Sequence, residues 1–107
     1  MGSELHAAIA AKALGGGLAD LSDQAYAVLV AMAVVARDRD TAKMERHLYF
    51  GGWEWLAAVA LRRSPPYADR DRQAVRRAVA ELVDAGLIKP RGRIAGRQSA
   101  AVYEVTL

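Results

Sequence analysis

The chain has 107 residues, a net charge of +3 and no cysteine, and hydrophobic residues make up 53% of it. This length is typical of one small domain, and this composition is ordinary for a soluble globular protein. The lack of cysteine excludes disulfides and thiolate zinc sites. The long apolar run at residues 25–36 is shorter than the ~18 residues that a membrane span needs, so no membrane association is expected.

Residues 3–14 are predicted to form a short helix, with Ser3 as its N-cap. The glycines at 15–17 are expected to act as a flexible joint. The chain therefore divides into an N-terminal helix with its joint, residues 1–20, and a main domain, residues 21–107. No basic segment precedes an apolar core at the start, so we expect no secretion.

The main domain is predicted to begin with a helix that Ser22 caps and that ends near residues 37–40. Its apolar face is taken to consist of Tyr26, Leu29, Val30, Ala33 and Val34. A β-prone triplet followed by glycines, at residues 47–52, predicts one short strand that pairs with a later one. Residues 53–61 are expected to form a third helix, and the two prolines at 65–66 exclude a helix through the segment that follows.

A fourth helix is the best signalled element of the chain. Asp69 is taken as its N-cap, and Gly86 stands where a left-handed residue ends a helix, with Leu87 closing on the last turn. Its apolar stripe is Val75, Ala78, Val79, Leu82 and Val83. Two strands are predicted after it, "LIKPRG" and "AVYEVTL", with residues 91–99 as the hairpin tip.

Positive charge is concentrated in one third of the chain. Residues 62–97 hold ten Lys/Arg against four Asp/Glu, whereas residues 1–61 hold five against seven. Such a cluster is typical of a protein that binds a polyanion such as nucleic acid. The alternative is a solubilising surface, but solubility calls for mixed signs, and "KPRGRIAGR" contains no acid.

The order of these elements, together with two motifs, resembles the winged helix-turn-helix family. The run "ELVDAGLI" (81–88) is similar to the end of a recognition helix and the first wing strand. The run "LYFGGWEWLA" (48–57) is similar to a strand-to-helix entry in modules of actinobacterial phage and plasmid proteins. The resemblance covers residues 21–107 and implies an α+β, mostly helical winged helix-turn-helix with an extra N-terminal helix. The loop "LRRSPPYADRD" (61–71) departs from the usual tight turn by its length.

The resemblance makes the fourth helix the recognition helix. At about 100° per residue, Arg70, Gln73 and Arg77 lie opposite the apolar stripe, with Arg76 beside them and Arg72 nearer the stripe's edge. Arginine can bond guanine and glutamine can bond adenine bidentately in the major groove. The alternative is a solvated helix face on which Arg77 pairs with Glu81.

Two further groups are candidate DNA contacts. In the wing they are Lys89, Arg91, Arg93, Arg97, Gln98 and Ser99. In the long loop, contacts to the DNA backbone are expected from Arg62, Arg63, Ser64 and Tyr67. A glycine-rich tip can also be merely flexible, and Trp53 and Trp55, which can stack on bases, are more typical of packing.

Sequence-specific binding of double-stranded DNA is therefore the predicted function, as a phage or mobile-element transcriptional regulator or a replication or DNA-architecture factor. The protein is expected in the cytoplasm, associated with the nucleoid. The rival is a winged-helix protein–protein interaction module. Residues 3–14 are a candidate homodimer contact, through Leu5, Ile9 and Leu14, or else pack on their own domain. His6 and His47 are far apart, so no enzyme, metal, cofactor or small-molecule site is expected.

Overall fold

The computed structural model describes the backbone of residues 3–38, 48–49, 52–94 and 100–106, and the side chains of residues 7–34, 49, 52–90 and 102–106. The described elements are, in chain order, α1 (Ser3–Leu14), α2 (Asp23–Asp38), β1 (Leu48–Tyr49), α3 (Trp53–Val59), α4 (Asp69–Asp84), β2 (Ile88–Ile94) and β3 (Ala100–Val105). The fold is α+β and mainly helical, as predicted from the sequence.

The glycines that follow α1 form a hydrogen-bonded turn in place of the predicted flexible joint. The N–H of Gly16 donates to the carbonyl of Ala13, and that of Gly17 to the carbonyl of Lys12. Gly16 has a φ of 82°, a backbone conformation that glycine adopts without steric cost. Ile9 before the turn and Leu18 after it are both buried in the core, so residues 3–20 pack against the rest of the chain.

Helix α2 runs through the centre of the core. Ser22 caps it as predicted, since the Ala25 N–H donates to Ser22 Oγ at 3.1 Å. The predicted apolar face was wrong in part, because Tyr26 and Val34 are exposed. The buried residues are Ala25, Val28, Leu29, Ala31, Met32 and Ala33. Apolar residues surround most of this helix, so periodicity alone could not identify the face that the core covers.

The segment between α3 and α4 differs from the prediction at both ends. Helix α3 ends at Val59 rather than at residue 61, and Arg62 adopts a left-handed φ of 57°. Asp69 lies inside α4 and is not its cap; the N-cap is Ala68, whose side chain has no acceptor. Asp71 compensates by accepting the Ala68 N–H at 2.8 Å, which satisfies one of the donors at the start of the helix.

Gly86 ends α4 as predicted. With φ 76°, its N–H donates to the Val83 carbonyl, and the N–H of the buried Leu87 donates to the Leu82 carbonyl. This turn directs the chain into β2 at once. Thr106 fastens the turn to the end of β3, since its hydroxyl donates to the Gly86 carbonyl at 2.9 Å.

The three described strands form one antiparallel sheet in the order β1-β3-β2. β1 pairs with β3, as predicted for a lone short strand, with Tyr49 opposite Tyr103. β2 extends to Ile94, two residues beyond the predicted strand and into the segment predicted as the hairpin tip; an irregularity between Pro90 and Arg93 accommodates one extra residue. Leu107, expected in the last strand, lies outside the described residues.

In the described part of the chain, none of the helices has the length and apolar character required to cross a membrane. The same residues contain no group of three or more His, Asp or Glu side chains placed to hold a metal ion.

Candidate nucleic-acid interface

Helix α4 separates its apolar and its basic residues onto opposite faces. Its inner face buries Ala74, Val75, Ala78, Val79 and Leu82 against α2 and α3. The five residues predicted to contact DNA from this helix are all exposed: Arg70, Arg72, Gln73, Arg76 and Arg77. The apolar stripe therefore fixes the direction in which the basic side chains point.

Arg63, predicted to contact the DNA backbone, is engaged inside the protein. Its guanidinium pairs with Asp71, with 2.7 Å between Arg63 Nη1 and Asp71 Oδ1. Asp71 is buried and uses its second oxygen for the Ala68 N–H. Arg63 neutralises a carboxylate that would otherwise be buried with one hydrogen bond, so its first role is to hold the loop on the start of α4.

The surroundings of Asp71 favour its ionised form. The hydrogen bond from the Ala68 N–H is the largest influence and lowers the pKa of the Asp71 carboxyl below its ordinary value of 3.8. Burial opposes this shift, and the hydrogen bond and charge of Arg63 reinforce it. Asp71 therefore stays charged at neutral pH and is unavailable to the exposed arginines that follow it.

Glu81 is also engaged away from the exposed arginines. The Ser22 backbone N–H donates to one carboxylate oxygen at 2.7 Å, and the Ser22 hydroxyl donates to the other at 2.8 Å. The alternative in which Arg77 pairs with Glu81 along the helix is wrong, since no such ion pair occurs among the described residues. Glu81 instead ties α4 to the start of α2, some 59 residues earlier in the chain.

Four arginines of α4 consequently form no salt bridge with a carboxylate within the described part of the chain, although the nearby charge of Arg70 also lowers the pKa of Asp71. Arg70, Arg76 and Arg77 make neither a hydrogen bond nor an ion pair with another described residue. They share the exposed face with Gln73 and with the small Ala80. A helix face of this kind concentrates cationic donors in water, where they are available to an external anion.

Arg72, the fourth of these arginines, contacts an aromatic cluster. Its guanidinium carbon lies 5.9 Å from the centre of the Trp53 ring at the start of α3. Tyr67 meets the same indole edge to face, with ring centroids 5.9 Å apart at 72°. Trp55, two residues along α3, packs instead on the buried Tyr49 at 5.9 Å. Both tryptophans are half-buried, as expected for packing residues.

The loop residues predicted to reach the DNA backbone divide into two pairs. Arg62 and Ser64 are exposed, and no ion pair involves either of them within the described residues. Arg63 and Tyr67 are half-buried, and each contacts another part of the protein. The long loop is therefore partly a structural connection between α3 and α4.

The hairpin of β2 and β3 carries the predicted wing residues. Lys89 is exposed and stands opposite Glu104 in the strand register. Arg91 and Arg93 lie in β2, and their side chains are outside the described set. Arg97, Gln98 and Ser99 lie wholly outside the described residues.

Sequence reasoning missed three contacts around α4: Asp71 with Arg63, Glu81 with Ser22, and Arg72 with Trp53. An acidic residue three positions after a helix cap is a known signal, and it could have identified Asp71. The other two contacts join separate elements, and no local sequence pattern predicts them.

Comparison with known proteins gives no relative for this chain. No family model matches it, and neither a curated protein nor a solved structure does. The function of this chain therefore has to be inferred from its own residues and their arrangement.

Proposed function

We propose that this chain is a winged helix-turn-helix protein that binds double-stranded DNA with sequence preference, with α4 as its recognition helix. Its role would be that of a transcriptional regulator, or of a replication or DNA-architecture factor, in a phage or mobile element. A cytoplasmic, nucleoid-associated location goes with this proposal.

The observation that carries the proposal is the outer face of α4. Arg70, Gln73, Arg76 and Arg77 are exposed together. Of the four acids of α4, Asp71 and Glu81 bind other partners, and Asp69 and Asp84 are exposed. In helix-turn-helix proteins the first half of the recognition helix meets base edges in the major groove. Arg70, Gln73 and Arg76 belong to that half of α4, and Arg77 directly follows it.

The order of elements supports the same proposal. Helices α2, α3 and α4 are followed directly by the antiparallel strands β2 and β3, and β1 extends the sheet on the other side of β3. A winged-helix domain has this succession of helices and a hairpin. Lys89, Arg91, Arg93 and Arg97 would then act from the wing, where arginines hold phosphates or enter the minor groove.

The test is a titration of a fluorescently labelled duplex over a series of salt concentrations. Binding through several phosphates should weaken steeply with salt, because each neutralised phosphate contributes about −0.9 to the slope of log K against log salt. Replacing Arg93 and Arg97 with alanine should lower the slope by up to about two and affect all sequences alike. Footprinting on the protein's own genomic neighbourhood would then identify the preferred site.

Absence of salt-dependent binding to any duplex would reject the DNA proposal. It would favour the rival, a module that binds a partner protein, for which an apolar interface is insensitive to salt.

We further propose a homodimer that uses α1, because one recognition helix reads few base pairs and paired half-sites are usual. Ile9 is committed to the chain's own core, so the contact would use the opposite side, where Leu14 is 90% exposed. Sedimentation of the parent and of Leu14→Glu tests this without disturbing the core. A monomeric parent at tens of micromolar, or equal dimerisation of both forms, contradicts it.

A further inference from the structure

The aromatic cluster beside α4 gives Arg72 a different position from the other basic residues of that helix. Arg70, Gln73 and Arg77 follow one another along the outer face, whereas Arg72 lies at the edge that approaches α3. Its guanidinium is 5.9 Å from the centre of the Trp53 ring, within the range of a cation–π contact.

Trp53 is itself held in place. Tyr67 packs edge to face against it at 5.9 Å, and both residues pack on the partly buried margin of the core. An arginine that rests on a fixed ring loses rotational freedom before it binds anything. Its planar N–H groups remain available, because Arg72 has no hydrogen bond or ion pair with the other described residues.

This edge of α4 would face the phosphates of a bound duplex. When the recognition helix lies in the major groove, the preceding helix crosses the DNA backbone. A cation between the starts of α3 and α4 then lies at the rim of the groove, near phosphates and away from base edges. A guanidinium fork suits phosphate oxygens, which it can contact with two parallel hydrogen bonds.

We propose that Arg72 binds a DNA phosphate and that Trp53 is the positioning residue that orients it, with Tyr67 supporting the indole. This inference rests on the proposed DNA-binding function. It separates Arg72 from Arg70, Gln73 and Arg77, which would read bases. Arg72 would set the register of the protein on the duplex without contributing to the choice of sequence.

The experiment measures duplex binding against salt for the parent, Arg72→Ala, Trp53→Leu and the double variant. Arg72→Ala should weaken binding to preferred and unrelated duplexes by a similar factor, about tenfold or more for a hydrogen bond to a charged group. It should also lower the salt slope by about 0.9. Trp53→Leu should weaken binding about twofold to fivefold, the value of an exposed cation–π contact.

The double variant distinguishes positioning from a structural effect. Trp53→Leu should have no further effect once Arg72 is alanine, whereas general damage to the fold would weaken binding in both backgrounds. Trp55→Leu is the matched control, because it also removes a half-buried indole from α3 but one that packs on Tyr49. Trp53→Phe keeps an aromatic face and should restore part of the affinity, but only where Arg72 is present.

Three results would overturn the inference while leaving the proposed function intact. These are an unchanged salt slope in Arg72→Ala, a loss of preference at one base pair only, and additive effects of the two substitutions. If the parent itself shows no salt-dependent binding to duplexes, the proposed function and this inference fail together.

Discussion

The inner and outer faces of α4 differ in whether their side chains have partners within the protein. On the inner face every side chain has a partner in the protein, including the one charged residue, Asp71, which binds Arg63 and the Ala68 N–H. On the outer face Arg70, Arg76 and Arg77 form no hydrogen bond or ion pair with another described residue. Within 15 positions, one arginine is thus an internal ion-pair partner and others are exposed cations. The residues around each arginine determine which of the two it becomes.

The comparison shows that charge density alone does not identify an interface. Arg63 belongs to the same basic cluster in sequence as Arg70, yet it stabilises a buried carboxylate. The inner face should therefore govern stability, and the outer face should govern binding. Substitutions on the two faces separate these effects.

The largest expected effect is on the inner face. Leu82→Ala removes a fully buried side chain and should lower the free energy of unfolding by about 2–5 kcal/mol, through lost burial and the cavity that remains. Urea denaturation measures this loss. Val59→Ala is the control, since Val59 is 51% exposed and its truncation should change stability by less than about 0.5 kcal/mol. Equal losses in the two variants would contradict the assignment of the core.

The next effect is on the outer face. Arg77→Ala and Gln73→Ala should each cost about 1–3 kcal/mol of discrimination at particular base pairs, because each would remove a bidentate contact to a base. Competition with duplexes carrying single base-pair changes measures the discrimination, while the unfolding curves should stay close to the parent's. If both variants rank all duplexes as the parent does, α4 is not the helix that reads DNA.

A smaller effect is expected where α4 is tied to α2. Ser22→Ala removes the cap of α2 and one of two hydrogen bonds to Glu81, and should destabilise the protein by about 1 kcal/mol. Ser22→Asp keeps a capping oxygen but places a second carboxylate against Glu81. It should therefore be less stable than a cap substitution alone would suggest, as thermal denaturation would reveal. If Ser22→Asp and the parent are equally stable, the contact between Ser22 and Glu81 is contradicted.

The smallest effect depends on pH. The native-state pKa of Asp71 is lowered, so the folded protein releases this proton more readily than the unfolded chain does. Its contribution to stability is therefore complete above the unfolded value of 3.8 and is lost as the pH falls through the lower folded-state pKa. The parent should exceed Asp71→Asn in stability at neutral pH, and the difference should shrink below pH 3.8.

Thermal denaturation of both proteins across this pH range tests the linkage. Asp69→Asn is a suitable control, because Asp69 is an exposed carboxylate at the first position of the same helix and has no ion pair among the described residues. A stability difference between Asp71→Asn and the parent that is independent of pH would contradict the role of the charge.

Much of the fold could be predicted because its signals are local. Ser22 and Gly86 mark helix ends through their own backbone hydrogen bonds, and the stripe from Val75 to Leu82 repeats with the period of a helix. The start of α4 was misplaced because Ala68 cannot cap by its side chain, and Asp71 performs that task from within the helix. The end of α3 was misplaced because Arg62 takes a left-handed conformation, which is rare outside glycine.

For the candidate site, the sequence predicted only that its side chains are exposed to solvent. That Arg70, Gln73, Arg76 and Arg77 point to solvent follows from the helical period and the apolar stripe. That Arg63 is internally paired, and that Glu81 binds Ser22 rather than Arg77, could not be predicted. Both contacts depend on how the loop and α2 are placed against α4.

The sequence by itself determined the helices, the antiparallel hairpin and the concentration of positive charge, since these follow from short-range periodicity, turn residues and composition. Tertiary structure alone decided which side of the largely apolar α2 is buried, which acids are neutralised, and that Arg72 rests on Trp53. The physical reason is that partners for charged and aromatic side chains are chosen by proximity in space. Residues 22 and 81 become neighbours only when the apolar faces of α2 and α4 pack together.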